Sequence, residues 1–264
     1  MTSLVRPPIA ARVSLGVMVA AMIATPLFTQ GGDQRRALAN VVVLSLFAVG
    51  LLTTWAMHQT RAVMAAGAAV ITTYFIELLG STTGFPFGAY GYTSALTPQI
   101  AGVPLVVSFA WAGITLVVFG LFTAGGGARW MQLAMMAASI TAWDVFLDPQ
   151  MVGEGYWQWQ PASLAFQGIP LVNYVGWFAT ALINSALVMA ICRAPHAVIP
   201  HGVRSRDATS QLSIITYATL TVLSTIGFVF FFDDVVVAVV GAVAMGTCLS
   251  WGLRRSRRSA IGLT

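Results

Sequence analysis

The chain has 264 residues, of which 58% are hydrophobic and only 8% are charged, and its mean hydropathy is +0.82. Soluble domains carry roughly 25% charged residues, so this composition excludes a soluble globular protein. The thirteen basic residues are all arginines, and they stand at the ends of apolar runs. Because they form no continuous patch, the sequence does not predict nucleic-acid binding.

Eight apolar runs are long enough to cross a hydrocarbon layer of roughly 30 Å, which takes about 20 helical residues. They lie near residues 11–29, 38–57, 62–80, 104–123, 129–147, 171–191, 211–231 and 235–253. Only the Asp233-Asp234 pair divides the last two runs, which predicts a tight helical hairpin. We therefore expect an all-α integral membrane protein with a single polytopic domain over residues 1–264.

The arginines predict the orientation of the chain, because short cytoplasmic loops collect basic residues. If the N-terminus is cytoplasmic, eleven arginines fall on the inner side and only Arg35 and Arg36 fall outside. The sequence thus predicts a multi-pass protein of the cell membrane with both termini in the cytoplasm.

Two outer connections, 81–103 and 148–170, are long and rich in aromatic residues, glycine and proline. The segment 102–106 with Trp111 resembles the segment 168–172 with Trp177, and Tyr90 and Tyr156 share the same offset of 66 residues. This indicates an internal helix–loop–helix repeat with units at approximately 62–123 and 129–191. Irregular backbone near membrane depth persists only where protein buries it or where it lines a cavity, so we expect re-entrant-like loops.

Three acidic residues, Glu77, Asp144 and Asp148, fall at the outer ends of predicted spans. The four-residue spacing of the two aspartates puts them on one helix face, and the offset of 66 aligns Glu77 with the neighbour of Asp144. A carboxyl group in hydrocarbon is costly and favours its neutral form, which can donate a proton. The alternative is a structural role at the headgroups or in loop capping, notably for Asp148, because Pro149 disfavours helical backbone before it.

The remaining polar residues carry weaker signals. Asp33, Asp233, Asp234 and Glu154 are expected to be solvated loop charges. Two distant cysteines, Cys192 and Cys248, and three histidines in polar connections, His58, His196 and His201, predict neither a disulfide nor a metal site.

Aromatic residues dominate both outer connections. An interfacial aromatic belt explains part of them, but three glycines, a proline and four aromatic residues within 84–92 indicate a folded structure. Aromatic faces stabilise positive charge. A cavity of such rings beside neutral acids therefore suits a substrate that passes through a cationic state.

These motifs resemble a known family, the membrane-bound carotenoid biosynthesis proteins, which include hydratases of the γ-carotene 1',2'-hydratase and bisanhydrobacterioruberin hydratase type. The first motif runs from Glu77 through Gly84 and Pro86 to Tyr92, and the second runs from Asp144 to Trp177. The likeness covers roughly residues 70–190.

The resemblance implies that water adds to a terminal isoprenoid C=C without a redox cofactor, giving a tertiary alcohol. The expected acid–base residues are Glu77, Asp144 and Asp148. Asp148 or Asp144 as proton donor with Glu77 as partner is the favoured assignment, and which acid donates the proton stays open. The expected substrate contacts are Tyr74, Phe87, Tyr90, Tyr92, Trp157, Trp159, Asn173 and Trp177. The implied partners are a carotenoid, the bilayer and other carotenoid biosynthesis enzymes.

Two alternatives stay open at this point. A transporter or lipid-binding protein also fits repeats and intramembrane acids, although a transport path would need polar groups through the inner halves of the spans. A carotenoid isomerase or cyclase would begin with the same protonation and differ only in its last step.

Overall fold

The computed structural model describes residues 8–123, 128–193 and 203–260, with side chains left out at 203–209 and 255–260. His196 and His201, and several arginines used to predict the orientation, lie outside the described residues or side chains. Within the described ranges, eight helices are long and apolar enough to span a membrane. They are α1 Ile9–Ala24, α2 Asp33–His58, α3 Thr60–Thr83, α4 Leu105–Thr123, α5 Arg129–Gly153, α6 Leu171–Cys192, α7 Val203–Phe230 and α8 Val235–Ala260. The all-α, membrane-type fold predicted from the sequence is confirmed.

The most buried helix is α4, and α2, α3, α5, α6 and α7 pack around it. Small residues permit the closest crossing. A Cβ atom on Gly113 would lie 2.9 Å from the backbone nitrogen of Phe47, and one on Gly50 would lie 2.8 Å from the Gly113 carbonyl oxygen. The backbones of α2 and α4 therefore meet where neither helix carries a side chain.

The predicted hairpin of the last two spans is confirmed, because α7 and α8 pack together across the short turn at 231–234. Asp234 caps α8, since its carboxylate accepts a hydrogen bond from the backbone N–H of Val237 at 3.0 Å. It is half-buried and also accepts one from the Gln167 side chain. Asp234 is thus more constrained than a solvated loop charge.

The connections that follow α3 and α5 lie at the same end of the bundle and share a local structure. Before α4, strands β2 (Gln99–Ile100) and β3 (Val103–Pro104) form a small hairpin, and before α6, strands β5 (Ala165–Phe166) and β6 (Ile169–Pro170) form another. Both turns contain a glycine at φ +80°, Gly102 and Gly168. The hairpins thus match residue for residue at the offset of 66.

Candidate active site

The two long connections are joined by a pair of antiparallel strands, β1 (Tyr90–Tyr92) and β4 (Trp157–Trp159). Tyr90 lies opposite Trp159 and Tyr92 lies opposite Trp157. Side chains alternate along a strand, so these four aromatic residues point to one face, towards the helices that precede them. Tyr90 is the first residue of β1 and Trp157 is the first residue of β4. The counterpart of Tyr90 in the strand pair is therefore Trp157, one residue after Tyr156, which the offset of 66 aligned with it.

Glu77 in α3 lies below one side of this strand pair and is 5% exposed. Its Oε2 atom accepts hydrogen bonds from the hydroxyls of Tyr90 and Tyr92, both at 2.6 Å, and its Oε1 atom accepts one from the Trp111 indole at 2.8 Å. Desolvation by burial raises the pKa of the Tyr90 hydroxyl and of the Tyr92 hydroxyl. Both tyrosines therefore remain neutral hydroxyls, able to donate.

Asp148 in α5 occupies the equivalent position below the other side. Its Oδ1 atom accepts hydrogen bonds from the indoles of Trp157 at 2.6 Å and Trp159 at 2.9 Å. Its Oδ2 atom accepts one from the Asn173 amide at 2.7 Å. The strands thus make Asp148 the counterpart of Glu77, whereas the sequence offset aligned Glu77 next to Asp144.

The expectation that Pro149 would draw Asp148 out of the helix is wrong, because α5 continues through Pro149 to Gly153. Three hydrogen bonds to the Asp148 side chain hold it in place, and bonds to charged groups contribute about 1.5–3 kcal/mol each. Together these hydrogen bonds outweigh the preference of a residue before proline for extended backbone.

Asp144 is fully buried one turn before Asp148 and shares its amide partner. Asn173 donates from the same Nδ2 atom to Asp148 and, at 2.8 Å, to Asp144 Oδ2. The predicted common face of the two aspartates is confirmed. The Oδ1 atom of Asp144 has no hydrogen-bond partner among the described residues.

Both acids of the strand pair border one pocket with about 640 Å³ of empty space, part of it open to the surroundings. Its walls come from α2 to α6 and the two connections. Trp111 and Trp177 stack within it, with ring centroids 4.0 Å apart and planes at 25°. The lining residues are Ala39, Asn40, Val43, Glu77, Phe87, Tyr90, Tyr92, Leu96, Val106, Val107, Ala110, Trp111, Leu147, Asp148, Met151, Tyr156, Trp157, Trp159, Asn173 and Trp177.

Phe87 fixes the first connection against the helices. Its ring lies between Gly80 of α3 and Gly176 of α6, where an added Cβ atom at either glycine would approach the ring to 2.7 Å. The added atom on Gly176 would also lie 2.8 Å from the Pro86 carbonyl oxygen. These glycines provide the space that the connection needs in order to lie close to α3 and α6.

A buried ion pair joins the start of α2 to the connection after α5 and corrects one expectation. Arg35 donates to Glu154 at 2.5 Å, and their side chains are only 7% and 2% exposed. Glu154 also accepts a hydrogen bond from the backbone N–H of Gly31. Glu154 is therefore not a solvated loop charge, because a cation from the start of α2, distant in sequence, neutralises it.

The structure brings most of the residues predicted for the site to the pocket. Those that line it are Glu77, Phe87, Tyr90, Tyr92, Asp148, Trp157, Trp159, Asn173 and Trp177. Asp144 lies behind Asn173. Tyr74 is not brought to the pocket, since its hydroxyl donates to the Ile100 carbonyl at 3.2 Å.

Sequence reasoning missed Trp111 as a site residue, as well as Tyr156 and the α2 residues. The alignment of Trp111 with Trp177 could have identified it, because Trp177 was assigned to the site. No comparable signal pointed to α2, which precedes both motifs.

Comparison with known proteins identifies the family of this chain. The family model described as carotenoid biosynthesis protein matches residues 37–249, which is most of the chain and extends beyond both motifs. The chain belongs to this family. This supports a carotenoid-modifying role and a carotenoid substrate.

A relative named bisanhydrobacterioruberin hydratase, from Haloarcula japonica, is 33% identical over 122 residues. The match covers 44% of this chain and 41% of the relative, so the chain spans about two fifths of that protein's length. No solved structure matches the chain.

Proposed function

We propose that this protein is a carotenoid hydratase that adds water to a terminal isoprenoid C=C and forms a tertiary alcohol. The observation that carries the proposal is that two buried carboxyl groups, Glu77 and Asp148, border the same aromatic-lined pocket. Hydration of an unactivated C=C needs one group that donates a proton and another that receives one from water. Neighbouring acids in different surroundings can divide these tasks.

The aromatic lining suits the intermediate of this reaction. Protonation of the less substituted carbon leaves a positive charge on the tertiary carbon, and ring faces attract such a charge. The rings of Tyr90 and Trp159 lie 4.9 Å apart across the strand pair, beside the Trp111–Trp177 stack. The mechanism requires no cofactor, because no electrons are exchanged between molecules.

The apolar part of the pocket suits a long hydrocarbon substrate. Ala39 and Val43 of α2, together with Leu147 and Met151 of α5, add apolar side chains to the lining. We propose that the isoprenoid end group lies between the acids. The polyene then continues past these residues, between helices or into lipid. The family supports a carotenoid, and the relative's name favours hydration of a C50 carotenoid.

Expression of the chain in a carotenoid-producing host tests this function. Lycopene and bisanhydrobacterioruberin serve as substrates, and the expected product has gained the mass of one water. Glu77→Gln should abolish the product, whereas Asp33→Asn, an amide change at an exposed carboxylate at the same end of the bundle, should not. A product isomerised without added water would identify an isomerase or cyclase, and bound but unchanged carotenoid would identify a binding protein or transporter.

We also propose that the pocket faces the outer side of the cell membrane and that both termini are cytoplasmic. The distribution of arginines supports this orientation. A cysteine introduced within 93–98 should react with an impermeant reagent applied from outside. Reaction only after the membrane is opened would reverse the orientation.

A further inference from the structure

We infer that the two acids of the pocket have fixed, different roles: Glu77 supplies the proton to the C=C, and Asp148 receives the proton from the attacking water. This inference rests on the proposed hydratase function. It follows from the chemical nature of the hydrogen-bond partners that hold each carboxyl group.

The two carboxyl groups are held in the same geometric pattern. Each accepts two hydrogen bonds at one oxygen from its own strand and one at the other oxygen from the following helix. The number of donors therefore does not distinguish Glu77 from Asp148. The difference lies in whether those partners can also accept a hydrogen bond.

All three partners of Asp148 present N–H groups, and an N–H group only donates. A proton on Oδ1 would point at the indoles of Trp157 and Trp159, which cannot receive it. The two indole donors at Oδ1 thus favour the carboxylate form of Asp148 when substrate arrives. Asn173 occupies one lone pair of Oδ2, so the second lone pair of that oxygen can receive a proton from water.

Glu77 has partners that can act in both directions. A phenol hydroxyl is both donor and acceptor and can rotate, so a proton on Oε2 can be accepted by Tyr90 or Tyr92. Both tyrosines line the pocket. They can therefore pass the Glu77 proton to a bound C=C while remaining neutral hydroxyls themselves.

Residues around the two acids strengthen this distinction. One turn before Glu77 stands Thr73, whose hydroxyl donates to the Ala69 carbonyl, whereas one turn before Asp148 stands Asp144. By accepting a hydrogen bond from Asn173, Asp144 helps to fix the amide with its Nδ2 atom towards Asp148. Asp144 is therefore a positioning residue of the Asp148 side, and the Glu77 side has no counterpart among the described residues.

The C=C electron pair takes the Glu77 proton and forms a C–H bond, which leaves a tertiary cation. The oxygen of water forms the C–O bond and its proton goes to Asp148. The substrate has gained one water, and exchange with water returns the proton from Asp148 to Glu77.

Hydrogen exchange in deuterated water separates the two roles. Membranes containing the full chain are incubated with lycopene or bisanhydrobacterioruberin, and mass spectrometry measures added water in the product and deuterium in recovered substrate. In Asp148→Asn, Glu77 still protonates the C=C, but the cation returns a proton to the Glu77 carboxylate instead of being trapped by water. This variant should therefore incorporate deuterium without hydrating. Glu77→Gln should do neither, with exchange at least about a hundredfold lower.

Exchange in Glu77→Gln, or equal exchange in the two variants, would overturn the assignment. A Tyr90→Phe, Tyr92→Phe double variant provides a second test if an acid variant folds poorly. It should slow exchange and hydration together, whereas loss of hydration with normal exchange would contradict a role on the protonating side. The wild-type protein tests the hydratase function itself. If wild-type protein neither hydrates the substrate nor incorporates deuterium, the proposed function is wrong, whatever the variants do.

Discussion

The connection after α3 and the connection after α5 end in matching hairpins, yet they surround their acids with different side chains. The first places two phenol hydroxyls on Glu77, and the second places two indole N–H groups on Asp148. The backbone sets where each carboxyl group lies, whereas the partner side chains determine whether a proton on it can be accommodated. Similar geometry on two sides of a pocket therefore does not imply the same chemistry.

The largest expected effect comes from the two acids themselves. Glu77→Gln and Asp148→Asn keep the shape of each side chain but remove its ability to exchange a proton. Because acid–base catalysis contributes typically about 10²–10⁴-fold, each variant should lose hydration on that scale at normal expression. Product formation in membranes measures this. A loss of less than about tenfold in both variants would leave these acids with a structural role.

A smaller effect is expected at Asp144, which does not line the pocket. Asp144→Asn can still accept a hydrogen bond from Asn173 through its amide oxygen, but its amide nitrogen replaces one carboxyl oxygen, so Asn173 is oriented less strictly. We expect hydration to fall roughly tenfold, the cost of about one hydrogen bond. Activity as low as that of Asp148→Asn would instead make Asp144 a direct participant. Three acids rather than two would then take part in the reaction.

The indoles of the second connection should have effects of similar or smaller size. Trp157→Leu and Trp159→Leu each remove one of the two N–H donors to Asp148 Oδ1 and part of the pocket wall, so turnover should fall about tenfold or less. Trp130→Leu, at an exposed tryptophan at the start of α5, is the control. Unchanged turnover in both pocket variants would indicate that Trp157 and Trp159 belong only to the interfacial aromatic belt.

Stability rather than chemistry should change at the glycine that accommodates Phe87. Gly176→Ala puts a methyl group against the Phe87 ring and the Pro86 carbonyl, and such overpacking costs about 1–3 kcal/mol. The Tm in detergent should fall relative to Gly67→Ala, where the added carbon meets nothing within 4 Å. Equal Tm values would show that the first connection does not depend on this close approach.

Much of the fold could be predicted from the sequence, because span length and apolar composition suffice to define helices in a bilayer. The acids and most pocket aromatics were also identifiable, since carboxyl groups and clustered glycines are unusual near hydrocarbon. The pairing of Tyr90 with Trp159 was not, because strands of three residues carry too little periodicity to reveal their register. For the same reason, a constant offset could not show that the counterpart of Glu77 is Asp148 and not Asp144.

Contacts between distant segments could not be predicted from the sequence either. The ion pair of Arg35 with Glu154 joins residues more than a hundred positions apart, and local composition marked both as loop charges. The matching hairpins agree with the proposed repeat units at 62–123 and 129–191, but their origin by duplication stays a prediction.

The stacked indoles of Trp111 and Trp177 give this pocket an optical property of its own. Two identical chromophores with ring centroids 4.0 Å apart are close enough for their electronic transitions to couple, and we expect this coupling to contribute to the ultraviolet circular dichroism of the protein. That contribution exists only when α4 and α6 are assembled. It therefore reports the integrity of the site in variants that no longer turn over substrate, and its perturbation on addition of a carotenoid would measure occupancy without any reaction.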